Sequence, residues 1–449
     1  MGETWTPERG TLADQYRAVL RRIQMPFPSK LPIPAEVLRI AERLEGAGFE
    51  TWCVGGAVRD NLLGYVNKDF DLATAATPRQ VTGLFRRTIP IGIDHGTVAV
   101  LDKNRRPHEV TTFRRDVKTD GRHAVVEFGV SLEADLARRD FTMNAIAYHP
   151  TRFEWRDPLA GAADLEAKVI RAVGNPVHRF REDYLRILRA LRFAARFGFA
   201  IEPETWNAAV ENAVGLRHLS AERVREEWFR GLQGAQRPSE LVRLWSEVGA
   251  LEVWLPELQC GAPGAVPERL RVADRIEGQD PVLITAYLSD NPGATLARLK
   301  CSNVDTERAA AVGRYVTQHP DPGSPAHVRR WMAQAGSAVD DLVAIWVAQG
   351  ADARLRVAVK RIRASGAPLT LGELAVDGED LLAAGIEQGP EVGRILQQLL
   401  DEVLQEPELN SRTRLLQRAL DLRARDPLSA PPSPAKDRSD ETNARSDRG

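Results

Sequence analysis

Gly55-Gly56-Ala57-Val58-Arg59-Asp60, followed nine residues later by Asp69-Phe70-Asp71-Leu72-Ala73-Thr74, is the stretch that decides the fold. Alternate residues of a β-strand point to the same face of its sheet. A strand that starts at Asp69 therefore presents the carboxylates of Asp69 and Asp71 side by side. Two such charges repel unless a cation neutralises them, and Mg²⁺ shared with substrate phosphates suits all-oxygen ligands. The spacing predicts Asp69 and Asp71 as catalytic metal ligands.

The glycine pair before the strand supplies a second feature. Gly55 and Gly56 tolerate positive φ angles and allow backbone N–H groups to approach an anion closely. Taken alone, an Asp-x-Asp is more often a solvated turn, and a Gly-Gly pair more often a plain turn. Together, on a pattern of strand, turn with helix start, and second strand, they indicate metal-assisted phosphoryl or nucleotidyl transfer.

The length and charge of the chain limit which classes of protein it can belong to. A chain of 449 residues is too long for one ordinary core and predicts several domains. Lys and Arg total 61 and Asp and Glu total 62, so the net charge of −1 gives no overall nucleic-acid signal. Any RNA-binding surface must be a local patch, and the sequence carries no signal of oligomeric state.

The cysteines and the hydropathy pattern indicate the compartment. Cys53, Cys260 and Cys301 lack paired spacing and are most simply buried thiols in a reducing environment. The N-terminal segment has no signal-peptide pattern, and no run approaches the roughly 18 apolar residues of a membrane helix. We expect a soluble, cytoplasmic protein without membrane association.

The pattern along the chain predicts an α+β fold class. The first domain combines a small β-sheet with helices at about Pro34–Glu45 and Pro78–Arg87. Its expected strands are Glu50–Val54, Asp69–Thr74, Gly96–Leu101 and His108–Phe113. Beyond about residue 160 the strand signal disappears and helical periodicity takes over. The clearest helices are Glu182–Phe197, Ala221–Leu232, Pro238–Val248, Ala326–Gln334 and Glu391–Leu404.

A third acidic candidate follows on a neighbouring strand. Glu109 could lie near Asp69 and Asp71 and contribute to catalysis, or activate the attacking hydroxyl. A plain surface glutamate on a strand fits the sequence equally well.

A basic cluster precedes the helical region. Guanidinium groups of Arg138 and Arg139 can bind phosphate in bidentate fashion, and Asp140 or Asn144 can hydrogen-bond ribose hydroxyls. An Arg-Arg-Asp taken alone is usually the charged edge of a helix, but the context favours nucleotide binding.

A further cluster predicts recognition of the base. On a continuous helix, Asp183, Arg186 and Arg189 would be neighbours, and the simplest reading is an intrahelical ion pair. The functional reading is a base reader. Cytosine and adenine present an amino donor beside a ring-nitrogen acceptor, which match a carboxylate and an arginine. Uracil and guanine would leave polar groups mispaired, at roughly 1–3 kcal/mol each, so Asp183 with Arg186 predicts specificity for CTP and ATP.

These motifs together resemble a known family. In this order they are similar to those of the bacterial-type (class II) tRNA nucleotidyltransferases, the CCA-adding enzymes, and their poly(A) polymerase relatives. The resemblance spans roughly residues 35 to 200. It rests on Gly55-Gly56-Ala57-Val58-Arg59-Asp60, Asp69-x-Asp71, Arg138-Arg139-Asp140, Asp157-Pro158-Leu159-Ala160-Gly161 with Asp164-Leu165, and Glu182-Asp183-x-x-Arg186.

The resemblance implies an architecture and a set of partners. It implies a seahorse-shaped protein with a head, a neck, a body and a tail that binds tRNA, CTP and ATP with Mg²⁺. The expected segments are an N-terminal extension (1–30), a catalytic head (31–170), a base-reading neck (171–235), a body (236–345) and a tRNA-binding tail (346–425). Residues 426–449 combine prolines with mixed charges and have few apolar residues, so composition predicts a disordered C-terminal segment.

The resemblance also implies residue roles. Asp69 and Asp71 would hold the metal in the head. Nucleotide-binding residues would be Gly55, Gly56 and Arg59 near the triphosphate, Arg138, Arg139 and Asp140 around ribose and phosphates, and Asp183 and Arg186 at the base, assisted by Arg189 and Arg192.

The expected reaction is template-independent addition of C, C and A to the 3′ end of tRNA. Residues 113–128 resemble the flexible loop of enzymes that complete all three additions, and His123 is expected to be a loop contact there. Alternatives that keep the chemistry are an A-adding enzyme, a CC-adding enzyme or a poly(A) polymerase. A noncatalytic tRNA-binding protein is a more distant alternative.

Overall fold

A computed structural model describes residues 27–119, 124–258, 268–351 and 354–424. These residues form two compact units, and the division between them falls at Gly313 and Arg314. His123, most of the expected N-terminal extension and the segment 426–449 lie outside the described residues. So does Cys260, whereas Cys53 is buried and Cys301 is half-buried.

A seven-stranded mixed sheet forms the centre of the N-terminal part. Its strands are β1 (Thr51–Val54), β2 (Asp71–Thr74), β3 (Thr88–Gly92), β4 (Thr97–Leu101), β5 (Pro107–Thr112), β8 (Ala147–Tyr148) and β9 (Trp155–Arg156). They are arranged in the order β3-β4-β5-β2-β1-β8-β9. A separate two-stranded hairpin consists of β6 (Arg114–Thr119) and β7 (Ala124–Phe128). The four strands expected from the sequence are therefore present.

Short helices connect and cover the strands. They are α1 (Ala35–Gly46), α2 (Gly56–Leu62), α3 (Pro78–Leu84), α4 (Leu132–Ala137) and α5 (Gly161–Glu166). The sequence explains their ends, because Thr77 forms a capping box with Gln80 at the start of α3 and Ser131 accepts a hydrogen bond from the Ala134 N–H at the start of α4.

One face of the sheet packs against α4, and this packing determines which side chains lie near Asp71. Trp52 and Val54 of β1 and Ala73 of β2 pack against Leu132 and Leu136 of α4. Asp71 is two residues before Ala73 on β2 and therefore shares its face. The sheet core thus brings Asp71 to the side on which α4 and the residues after it lie.

The helical region continues the first unit. Its helices are α6 (Pro176–Glu182), α7 (Leu185–Phe197), α8 (Pro203–Asn212), α9 (Ala221–Gly234), α10 (Pro238–Val248), α11 (Ala250–Trp254), α12 (Glu268–Ala273), α13 (Pro281–Leu288) and α14 (Pro292–Arg298). The next helix, α15 (Asn303–Tyr315), contains the division between the units. Trp228 of α9 packs edge-on against Trp245 of α10, and both are buried.

Two expectations about this region are wrong. Strands do occur beyond residue 160, because β10 (Val169–Ile170) pairs in parallel with β11 (Ala200–Ile201). The single helix expected over Glu182–Phe197 is broken at Asp183, where φ is −157° and ψ is 105°. The Asp183 Oδ1 accepts a hydrogen bond from the Leu185 N–H at 3.1 Å, and this use of a short polar side chain competes with helix continuation.

The second unit is helical throughout its described part. Its helices are α16 (Pro325–Ala335), α17 (Val339–Ala348), α18 (Arg354–Ser365), α19 (Gly378–Ala383), α20 (Pro390–Gln405) and α21 (Arg412–Ala424). Leu381, Leu399 and Leu415 belong to one buried cluster that joins α19, α20 and α21. Across the described part of the chain, every helix is too short or too polar to cross a membrane.

Candidate active site

The two expected metal ligands stand at the start of β2. Asp71 is the first residue of the strand and is half-buried, whereas Asp69 precedes the strand and is exposed. The expected strand start at Asp69 is therefore two residues early. The Asp69 N–H instead donates to the Asn67 side chain at 3.0 Å, and Asn67 in turn donates to Asp60 of α2 at 3.1 Å. The turn that carries Asp69 is thus tied to α2.

Glu109 lies on the neighbouring strand beside Asp71. Strands β2 and β5 run parallel with Leu72 opposite Val110, so Glu109 and Asp71 precede paired residues and share one face. The negative charges of both Glu109 and Asp69 act on Asp71. The sheet register therefore places Glu109 beside Asp71, whereas Asp69 lies in the turn two residues before Asp71.

This cluster fits a divalent cation. Burial raises the pKa of Asp71 to about 6, and Glu109 and Asp69 add to the rise while Arg139 opposes it. Such crowding disfavours three ionised carboxylates unless positive charge is supplied. In the described residues, no group of three or more His, Cys, Asp or Glu side chains is placed to hold a metal ion. A site with two carboxylate ligands and open coordination positions suits Mg²⁺, which usually retains water molecules and binds phosphate oxygens as its other ligands.

Gly55 joins the carboxylates to the basic cluster. It adopts φ 76° and ψ −139° immediately before α2. A Cβ atom at Gly55 would lie 3.2 Å from Nη1 of Arg139 and 3.6 Å from Oδ2 of Asp71. Because a larger residue would be strained and would crowd both side chains, glycine is needed here. Gly56 is the first residue of α2, and a Cβ atom there would lie 3.6 Å from Nη2 of Arg59.

Arg138 and Arg139 are held by a carboxylate that the sequence analysis missed. Asp135 of α4 accepts from Nε of Arg138 at 2.9 Å and from Nη2 of Arg139 at 3.2 Å. Nη1 of Arg139 also donates to the Asn144 carbonyl at 3.4 Å. The signal that could have found Asp135 is its spacing of three and four residues before the two arginines.

The pairing of Asp135 predicts a loss of stability in acid. Burial raises its pKa, but the charges and hydrogen bonds of Arg139 and Arg138 outweigh that effect and hold the pKa below the ordinary 3.8. A lowered native pKa means that the unfolded chain binds more protons, so the stabilisation is present above 3.8 and is lost as the pH falls below it. We expect Asp135→Asn to lower the melting temperature at about pH 6 and to flatten its decline between about pH 4 and about pH 3. Parallel acid profiles for Asp135→Asn and wild type would contradict this.

Asp140 is buried and accepts hydrogen bonds at both of its carboxylate oxygens. Its Oδ1 accepts from the Phe141 N–H at 2.8 Å and from Nδ2 of Asn144 at 2.9 Å. Its Oδ2 accepts from Nε of Arg189 at 2.7 Å. Burial raises the pKa of Asp140, but Arg189 and these hydrogen bonds hold it well below the usual range. In this arrangement Asp140 and Asn144 connect the residues around Asp71 to α7.

Arg59 is also directed inward. Nη1 of Arg59 donates to Oδ1 of Asn144 at 2.6 Å, and Nε donates to Oδ1 of Asp60 at 2.9 Å. Its guanidinium lies 4.8 Å from the ring centre of Phe193. Only 4% of Arg59 is exposed, and these contacts tie α2 to α7.

Arg189 and Arg192 share an acidic partner on α9. Glu227 accepts from Nε of Arg192 at 2.6 Å and lies 3.8 Å from Nη1 of Arg189. The guanidinium of Arg192 lies 4.3 Å from the ring centre of Phe193. Both arginines therefore support α7 through Glu227, which is buried.

The expected base readers lie next to each other but are held by other residues. Asp183 stands at the junction of α6 and α7, and its Oδ2 accepts from Nη2 of Arg223 at 2.7 Å. Nη1 of Arg186 donates to Oε2 of Glu182 at 2.7 Å. The expected pairing of Asp183 with Arg186 along one helix is thus replaced by two separate ion pairs. The Arg223 contact spans 40 residues of sequence and had no local signal.

Family models match two segments of the chain. Residues 51–171 match the family described as the poly A polymerase head domain. Residues 198–260 match the family described as the probable RNA and SrmB-binding site of polymerase A. The first match contains the sheet and the carboxylate cluster.

Whole-length relatives extend the match. A CCA-adding enzyme of Streptococcus mutans is 36% identical over 81% of this chain and 91% of its own length. One of Latilactobacillus sakei is 35% identical over 86% of this chain and 97% of its own. The crystal structure of the Bacillus stearothermophilus CCA-adding enzyme in complex with CTP is 33% identical, with a TM-score of 0.70 over 87% of this chain and 97% of that one. This chain belongs to the CCA-adding enzyme family of nucleotidyltransferases.

Proposed function

We propose that this enzyme adds C, C and A to the 3′ end of tRNA without a template, using CTP and ATP and releasing pyrophosphate. The observation that carries the proposal is the convergence of Gly55, Asp71 and Arg139 beside Glu109. Relatives that match nearly their whole length bear the name CCA-adding enzyme, and the Bacillus stearothermophilus relative binds CTP.

The chain's own residues suggest how the reaction proceeds. The tRNA 3′ hydroxyl attacks the α-phosphorus in line, a new P–O bond forms, and the bond to the β-phosphate breaks. Arg138 and Arg139, both held by Asp135, are proposed to bind the phosphates as fork-shaped donors. The turn at Gly55 lets the backbone come close to the same phosphates.

Nucleotidyltransferases generally use a divalent metal, and we propose Mg²⁺ bound by Asp69 and Asp71. Held by these residues, the ion would supply positive charge that lowers the pKa of the attacking hydroxyl and offsets the charge of the leaving pyrophosphate. Glu109 adds a third negative charge at this point. Its proposed role is to strengthen the field that attracts the cation, or to accept the hydroxyl proton.

Asp183 and Arg186 remain the proposed base readers. A carboxylate accepts from the amino group of cytosine or adenine, and a guanidinium donates to the adjacent ring nitrogen. Both side chains lie at the start of α7 and are partly exposed, 27% for Asp183 and 13% for Arg186. The other arginines of this helix, Arg189 and Arg192, are proposed to act by supporting the helix.

The remaining assignments extend the same proposal. Residues 31–170 would form the catalytic head, 171–235 the neck, 236–345 the body and 346–425 the tRNA-binding tail. A cytoplasmic location fits thiols without paired spacing and the nature of the substrates.

A length assay tests the product. We expect tRNA that lacks the CCA end to gain two nucleotides with CTP alone, none with ATP alone and three with both. Transfer RNA that already ends in two C residues should gain one nucleotide with ATP. An A-adding enzyme would extend only the second substrate, a CC-adding enzyme would stop after two additions, and a poly(A) polymerase would give long products. Binding of tRNA without pyrophosphate release would support the noncatalytic alternative.

A further inference from the structure

The carboxylate of Asp183 is fixed from two directions. Its Oδ1 accepts from the Leu185 N–H at 3.1 Å, which caps the start of α7. Its Oδ2 accepts from Nη2 of Arg223 at 2.7 Å, and Arg223 belongs to α9. The plane of the carboxylate is therefore set by one donor from its own helix junction and one from a different helix.

This arrangement leaves part of the carboxylate available. An ionised carboxylate has about four lone-pair positions, so two donors leave about one position on each oxygen. Asp183 is 27% exposed and Arg223 is 32% exposed, so an incoming group can reach them. The cap holds only Oδ1, whereas the contact with Arg223 also holds Oδ2 and so limits rotation of the carboxylate.

We propose that Arg223 is a positioning residue for nucleotide selection, acting through Asp183. The inference rests on the proposed function, since it concerns how Asp183 distinguishes bases that carry an amino donor from uracil and guanine. Discrimination depends on an acceptor held in one place, because a mobile carboxylate can turn away from a mismatched carbonyl and so avoid the penalty of an unpaired group. Arg223 removes that freedom.

The same helix offers a matched control. Arg230 of α9 pairs with Glu226 at 2.6 Å, but this pair is 60% and 55% exposed. Arg223 and Arg230 are thus two arginines on one helix, each paired with one carboxylate. Only the partner of Arg223 lies at the start of α7. A change in charge on α9 can therefore be separated from a change at Asp183.

The experiment compares Arg223→Gln, Arg223→Lys, Asp183→Asn, the double variant Arg223→Gln with Asp183→Asn, and the control Arg230→Gln. Each full-length variant is tested on tRNA that lacks the CCA end, and the ratio of kcat/KM for CTP to that for UTP is measured. We expect Arg223→Gln to lower this ratio about tenfold and Arg223→Lys to restore part of it. Arg230→Gln should match wild type, and the double variant should fall no further than Asp183→Asn.

Other results would overturn the inference. Arg223→Gln could lower kcat/KM for CTP and UTP equally, or raise only the KM for tRNA, which would assign Arg223 to structure or to the tRNA backbone. The CTP-to-UTP ratio could fall further in the double variant than in Asp183→Asn, by the loss seen in Arg223→Gln. Such additive losses would show that Arg223 does not act through Asp183. If Asp183→Asn loses discrimination while Arg223→Gln keeps it, this inference alone fails. If the wild type adds no C to tRNA, the proposed function has failed instead.

Discussion

Asp71→Asn is expected to reduce nucleotide addition by about 1,000-fold or more, because several kcal/mol of transition-state stabilisation depend on a cation held at this carboxylate. The substitution keeps the shape of the side chain and removes its charge. It also removes repulsion with Asp69 and Glu109, which act on Asp71 as like charges. We therefore expect the melting temperature of the metal-free variant to equal or exceed that of wild type.

The measurement pairs a single-turnover assay of CTP addition with thermal unfolding in EDTA. Glu133→Gln is the control, because Glu133 is an exposed carboxylate on α4 outside the cluster. It should leave both activity and melting temperature unchanged. Near-normal activity of Asp71→Asn would reject the assigned role of Asp71, and a large loss of stability would show that the repulsion argument is wrong.

Asp140→Ala is expected to have the largest effect on stability, lowering the free energy of unfolding by roughly 3 kcal/mol. Asp140 is 7% exposed and binds Arg189, Asn144 and the Phe141 backbone. Removal of the carboxylate leaves the donors of Arg189, Asn144 and the Phe141 N–H without their acceptor. The estimate lies at the lower end for a broken buried ion pair because Arg189 is 32% exposed and can be partly solvated.

Urea unfolding of Asp140→Ala and of Glu226→Ala tests this expectation. Glu226 also pairs with an arginine, but on the exposed surface, so its loss should cost less than about 1 kcal/mol. An Asp140→Ala protein that unfolds like wild type yet fails to bind nucleotide would contradict the structural role. That outcome would return Asp140 to the ribose contact expected from the sequence.

The strands around the site could be predicted because their signals are local. Apolar runs separated by turns located β1, β2, β4 and β5 to within two residues. The short strands β10 and β11 were missed, since two residues give no periodicity. The break at Asp183 was missed for a related reason. The helical pattern continues on both sides of it, and only the cap formed with Leu185 interrupts the helix.

The sequence by itself determined the chemical class of this protein. The spacing of Asp69 and Asp71 after the glycine pair depends only on backbone geometry along one segment, so it can be read without a structure. Which polar side chains serve the site and which support the fold was decided by tertiary structure alone. The sequence predicts Arg59, Asp140 and Arg189 as nucleotide-binding residues, and only the structure shows their protein partners. Arg59 donates to Asp60 and Asn144, and Arg189 donates to Asp140. The physical reason is that a buried charge is costly unless an opposite charge lies beside it, and the arginine partners of Asp140 and Asp183 lie 49 and 40 residues away along the chain.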